Sequence, residues 1–273
     1  MGKIRGSVWL KLLLVWILVL GSFPSYGSAA EEGTRVSGTL TGDTTWTKAG
    51  SPYRMVGTVT VPRDVTLTIE PGVTVVGQIG VWFHVYGKLL AIGNTDEKIT
   101  LDTAYIQSVS FPETFVHLEH ANVSRAFNGG YLVSGSKLYL DNNQFSNGSI
   151  SISTPKMVEP TITNNIFHGN ASISANLGSV DTVINRNTFL NTEETNSTNV
   201  RIYCGVDCTS NLLFSQNNFF GFNERAYFEV TSDRIMTIDG SNNYWGTTDA
   251  RLVSRYIIDK NDNRDRKSTR LNA

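Results

Sequence analysis

Asn-Asn-x-Phe recurs along the second half of this chain. It reads Asn142-Asn143-Gln144-Phe145, then Asn164-Asn165-Ile166-Phe167. A degraded copy follows at Asn185-Arg186-Asn187-Thr188-Phe189, then Asn217-Asn218-Phe219-Phe220 and Asn242-Asn243-Tyr244-Trp245. Anchored on the second Asn, the positions are Asn143, Asn165, Asn187, Asn218 and Asn243, spaced 22, 22, 31 and 25 residues apart; at the fourth copy Asn217 with Phe219 fits as well as Asn218 with Phe220. A repeat of this length cannot bury its apolar face alone and must stack on its neighbours. The spacing therefore predicts a β-solenoid.

Each copy follows an apolar strand: Leu138-Tyr139-Leu140, Thr161-Ile162-Thr163, Val183-Ile184, Leu213-Phe214 and Thr237-Ile238. Asn tolerates left-handed backbone and its side chain bonds to main chain, so it suits a corner. Stacked at the inter-strand spacing of ~4.8 Å, like Asn residues form an amide ladder. Phe145, Phe167, Phe189 and Trp245 then stack inside the coil. On this view the Asn pairs are structural, not a ligand motif.

The first half reads as short strands in series. Val65-Thr66-Leu67-Thr68-Ile69 alternates with period two, which places Val65, Leu67 and Ile69 on one face. Glu70-Pro71-Gly72 is a turn, with Pro presetting φ and Gly permitting positive φ. No helical periodicity interrupts the series. Residues 36–57 carry turn formers and are expected to form an entry hairpin over the open end, within an N-terminal cap of residues 31–57. The coil is expected over 58–247. A short helix capped by Thr248, with Leu252, Val253, Tyr256 and Ile257 on one side, is expected within a closing segment of 248–264.

Val61-Pro62, Val65-Thr66-Leu67-Thr68-Ile69-Glu70-Pro71-Gly72-Val73 and Gly87-Lys88-Leu89-Leu90-Ala91-Ile92-Gly93 resemble the opening of secreted bacterial parallel β-helix proteins of the pectin-lyase-like superfamily. Asn242-Asn243-Tyr244-Trp245-Gly246-Thr247 with Ile257-Ile258-Asp259 resembles their closing segment. The resemblance spans nearly all of residues 36–263. It implies an all-β, right-handed parallel β-helix solenoid with three sheets and coils of about 22 residues. These motifs speak to fold and say little about activity.

The ends differ from the body. Lys3 and Arg5, the apolar run Leu12 to Leu20, and Ser28-Ala29-Ala30 form a secretory signal pattern over residues 1–30, pointing to a secreted or cell-surface protein. The alternative is an uncleaved membrane anchor. Asp265 to Asn272 resembles a translated sequencing adapter, so residues 265–273 are read as an artefact and the chain as a fragment. Setting aside three basic residues in the leader, and three basic and one acidic in the tail, leaves 17 Lys and Arg against 23 Asp and Glu, a net of −6. A mildly acidic body without a basic stripe argues against nucleic acid as a partner. A monomer is expected.

Cys204 and Cys208 are the only cysteines. A secreted context favours a disulfide between them, closing a small loop. Two thiolates with no nearby His make a poor metal site, and no metal is expected. His117 and Glu119 share one face of a strand while His120 lies opposite, so His-x-x-His does not converge on a metal. The four Asn-x-Ser/Thr sequons, at Asn122, Asn147, Asn170 and Asn196, are chance products of an Asn- and Ser-rich repeat. Asp259-Lys260-Asn261-Asp262-Asn263 starts like a Ca²⁺ loop but lacks the Gly at its sixth position.

The fourth coil exceeds the period by nine residues, between Glu193 and Thr209. Insertions in solenoids emerge as loops on one face, often the binding face. A groove beside this loop is expected, lined by Arg201, Tyr203, Asp207 and Glu229. Arg201 and Tyr203 are candidates for binding; Arg201, Asp207 and Glu229 are the candidates should catalysis occur. A lyase needs carboxylates that hold Ca²⁺ and a basic residue, and a hydrolase needs paired carboxylates. Asp181, Arg186, Glu224, Arg225, Asp233 and Arg234 form no compact constellation by sequence. The favoured function is a secreted or surface module that contacts polysaccharide or cell-wall glycan without catalysis. The alternatives are a lyase or hydrolase of acidic polysaccharide, and a spacer for a missing C-terminal domain.

Overall fold

The computed structural model describes residues 33–109, 111–124, 130–134, 137–153, 160–179, 181–190, 199–205, 207–221, 227–233, 237–258 and 270–272. They form a parallel β-solenoid. Three stacks of short strands run its length, and each turn of chain contributes one strand to each stack.

Sheet 1 has ten strands: Thr44–Trp46, Thr66–Ile69, Lys88–Ile92, Phe115–Glu119, Lys137–Asp141, Thr161–Thr163, Thr182–Asn185, Leu212–Ser215, Thr237–Asp239 and Arg270–Asn272. From Trp46 to Asp239, paired residues lie 22 to 30 positions apart, most often 22. Sheets 2 and 3 share the long strand Tyr53–Val61. Its first residues pair with Thr74–Val76 in sheet 2 and its last with Trp82–Val85 in sheet 3.

Strict alternation builds the core. Leu67, Leu89, Val116 and Leu138 stack inward on consecutive strands of sheet 1, each essentially fully buried. Burying one such side chain is worth ~1.5–3 kcal/mol. The corners are equally specified. A Cβ at Gly87 would run into the main-chain oxygens of Pro62 and Val65, so the turn from sheet 3 into sheet 1 has room only for glycine.

Four expectations are corrected. There is no entry hairpin: Thr34–Thr39 runs parallel to Tyr53–Val61 as a first rung, so the coil begins well before residue 58. The helix Ala250–Tyr256 is capped by Asp249, not Thr248; its carboxylate accepts the Arg251 N–H at 2.8 Å. The stretch Val200–Cys204 is not loop but a rung of sheet 3, paired with Ser172–Leu177 and Phe228–Ser232. Its alternation of Val200, Ile202 and Cys204 inside with Arg201 and Tyr203 outside explains why.

The fourth concerns the Asn register. Each of five coils carries a four-residue frame: a corner residue at positive φ, a ladder Asn, an outward residue and a core aromatic. The corners are Asn142, Asn164, Arg186, Gln216 and Asn242. The fourth ladder residue is therefore Asn217, fully buried, with Phe219 inside. Asn218 points outward in the strand Asn218–Phe220.

Candidate functional site

The ladder accounts for the Asn repeat. Asn143, Asn165, Asn187 and Asn217 each donate their main-chain N–H to the side-chain oxygen of the next Asn, at 2.7–3.0 Å, ending on Asn243. Their side-chain amides donate to Leu118, Leu140, Ile162 and Ile184 carbonyls at 2.8–3.0 Å. Every polar atom of the interior pairs is used, as burial demands. The rings Phe145, Phe167, Phe189, Phe219 and Trp245 stack beside it with centroids 4.7–5.1 Å apart. These residues shape the coil and leave nothing for a ligand.

The outward face of sheet 3 is different. In-register pairing sets Ser151, Ser174, Arg201 and Glu229 in one column, and Ser153, Asn176, Tyr203 and Thr231 in the next. Arg201 and Glu229 are 28 residues apart in sequence but neighbours across one strand gap. The Arg201 Nε donates to Glu229 Oε2 at 3.1 Å. The Tyr203 hydroxyl donates to Asp233 Oδ2 at 2.8 Å, yet the ring is 42% exposed. That bond, and then the carboxylate's charge, push the Tyr203 phenol above its ordinary pKa. Ser174, Arg201, Ile202, Tyr203, Glu229 and Thr231 line an open groove of about 330 Å³.

Three of the four expected groove residues thus meet, because they share a face of adjacent rungs. Asp207 does not line the groove. It lies exposed beyond Cys204, inside the loop closed by the Cys204–Cys208 disulfide, whose Cα atoms are 5.4 Å apart. Sequence reasoning did not place Ser174, Thr231 or Asp233 at this groove; the period-two pattern of 200–204 and 228–232, read as paired strands, would have set Thr231 beside Tyr203.

The groove holds one carboxylate among its lining residues, Glu229, and Arg201 neutralises it. Asp181 instead accepts the main-chain and side-chain N–H of Asn211, and Arg186 donates to Gln216. Glu224, Arg225, Arg234, the leader and residues 259–264 lie outside the described residues. Among the described residues no group of three His, Cys, Asp or Glu is arranged to hold a metal ion.

A second polar cluster lies on sheet 1. His117 Nε2 is 3.1 Å from Glu119 Oε2, and Tyr139 meets the imidazole edge-on at 4.6 Å. His120 turns the corner at φ 47° and its Nε2 is 3.9 Å from Glu119. Asp141 accepts from Asn142, Thr163 and Asn164 at 2.6–2.7 Å. Burial first, and then the charges of Asp141 and Glu119, raise the Tyr139 phenol. Set against known proteins, the chain matches no family model, no curated protein and no solved structure.

Proposed function

We propose that the protein is a secreted or cell-surface β-helix module that contacts polysaccharide through the outward face of sheet 3 and performs no chemistry on it. The observation that carries this reading is Tyr203: a ring nearly half exposed, on a rigid strand, with its hydroxyl tied to Asp233. An aromatic surface of this kind stacks against the C–H face of a sugar ring, and a fixed ring loses little entropy on binding. The neighbouring Ser153, Asn176 and Thr231 supply hydroxyl and amide partners for sugar hydroxyls. The signal pattern at the N-terminus supports an extracellular setting, and the opening and closing motifs support a right-handed coil of pectin-lyase-like type.

The test is a glycan array followed by affinity electrophoresis. Retardation by at least one wall or matrix glycan, lost in Tyr203→Ala, is expected. Absence of binding across the array, or retardation indifferent to Tyr203, rejects the proposal.

A second reading, a lyase or hydrolase of acidic polysaccharide with Ca²⁺ in the lyase case, rests on the Arg201–Glu229 pair in the groove. Turnover of a polyuronate that disappears in Arg201→Ala would establish it in place of the first.

A further inference from the structure

The outward face of sheet 1 is separate from the groove on sheet 3. From Thr44–Trp46 to Leu212–Ser215 its strands pair without a register shift. Outward side chains therefore stand in columns. The central column includes Thr68, Leu90, His117, Tyr139, Val183 and Leu213, with no Asp, Glu, Lys or Arg from Thr45 to Leu213. Leu213 is 46% exposed.

Over three consecutive strands, Lys88–Ile92, Phe115–Glu119 and Lys137–Asp141, the two flanking columns carry opposite charge; further along, Asp181 adds a carboxylate to the lysine side, where it accepts from Asn211. On one side Lys88, Phe115 and Lys137 lie on consecutive strands, with the Lys137 ammonium 5.7 Å from the Phe115 ring centre. On the other side Ile92, Glu119 and Asp141 do the same. The acids are held in place: Glu119 by His117, and Asp141 by its three donors. Both lysines are exposed.

We infer that this face is a self-complementary interface through which two copies of the chain associate side by side with parallel long axes. A two-fold axis between the faces, running along the solenoid, exchanges the left and right columns and keeps each rung level. Lys137 of one copy then faces Asp141 of the other, and the same contact forms a second time by symmetry. Lys88 falls on Ile92 and beside Glu119, and the central columns, free of Asp, Glu, Lys and Arg, meet each other. A two-fold axis along the strands would put lysine on lysine, which like-charge repulsion opposes. The inference replaces the monomer expected from sequence alone.

The area sets the strength. Eight strands at ~4.8 Å, averaging about four residues at ~3.3 Å, give a flat footprint of roughly 500 Å² per copy. A standard interface buries ~800 Å² per partner, so the dimer is a weak, concentration-dependent one.

Sedimentation equilibrium over a concentration series tests it. The wild-type mass should climb from one chain toward two, and salt should weaken the association. Lys88→Glu with Lys137→Glu, two exposed positions, should weaken it at least tenfold. On the proposed axis the central column meets its own copy. Thr161→Cys should therefore cross-link to itself under oxidation, while Thr95→Cys, on an exposed turn, should not. A wild-type chain that stays monomeric, a dimer indifferent to the double charge reversal, or a dimer in which Thr161→Cys does not cross-link would each overturn the inference. A monomer whose double reversal loses glycan retardation would assign the face to glycan and also overturn it. Tyr203→Ala should leave the dimer intact, so failure of the glycan proposal shows separately.

Discussion

Asn165 Oδ1 accepts two bonds from Asn143, the main-chain N–H at 2.9 Å and the side-chain amide at 3.0 Å. One oxygen thus ties two coils whose residues are 22 positions apart. The same Asn165 donates its own amide to the Leu140 carbonyl at 3.0 Å. All of these groups are buried, so removing one partner leaves donors and an acceptor without water.

Asn165→Ala should therefore destabilise the chain strongly. Leaving a buried polar group unsatisfied costs ~1–3 kcal/mol, and this substitution strands several, so a loss of ~3 kcal/mol or more is expected. Urea denaturation followed by circular dichroism measures it. A loss below ~1 kcal/mol would mean that the ladder relaxes or admits water.

Phe167 sits between Phe145 and Phe189, with ring centroids 5.1 and 4.7 Å away and nearly parallel planes. Phe167→Ala should cost ~3–5 kcal/mol, from lost burial and the cavity left behind. Phe167→Leu should retain a large part of this. Near-wild-type stability of Phe167→Leu would show that the ring stack adds little beyond filled volume.

The Tyr203 phenol titrates above its ordinary value because it donates to Asp233. In the folded chain the proton is therefore held to higher pH than in the unfolded one. The contribution of this bond is complete below the ordinary tyrosine value of ~10 and is lost as pH rises through the raised folded value. Tyrosinate absorbance during an alkaline titration should show one late-titrating group disappear in Tyr203→Phe. In Asp233→Asn that group should titrate earlier.

Reduction of Cys204–Cys208, or replacement of both by Ser, opens a loop of five residues. Chain entropy alone puts the loss at ~2 kcal/mol. Cys204 follows Tyr203 directly on the Val200–Cys204 rung, so the same variant should weaken glycan retardation, but less than Tyr203→Ala does. Equal weakening would show that the disulfide, and not the ring alone, sets the groove.

The solenoid was legible in the sequence because its determinants are local: an apolar strand, an Asn corner and an inward aromatic recur at 22 residues. The slip at Asn218 has an equally local cause. Two adjacent Asn residues and two adjacent Phe residues fit the motif in either register, and only the positive φ at Gln216 decides between them. The groove was legible in part. Arg201, Tyr203 and Glu229 were marked by type, but their meeting depends on pairing Val200–Cys204 with Phe228–Ser232. Reading 193–209 as loop hid that pairing, and with it the separation of Asp207 from the site. The entry strand Thr34–Thr39 was misjudged because hairpin and parallel pairing draw on the same turn residues; only the partner strand, Tyr53–Val61, distinguishes them.

The four-residue corner frame also makes the molecule adjustable in length. Excising Gln144 through Asn165 would join Asn143 directly to Ile166 and Phe167, restoring corner, ladder, outward and core positions without a seam. Gain or loss of one such unit changes the molecule by a single strand spacing, ~4.8 Å, and leaves every remaining coil with the kind of neighbour it had before. A gene carrying this architecture can therefore set the span of its product by slippage between copies, with no new contacts to invent.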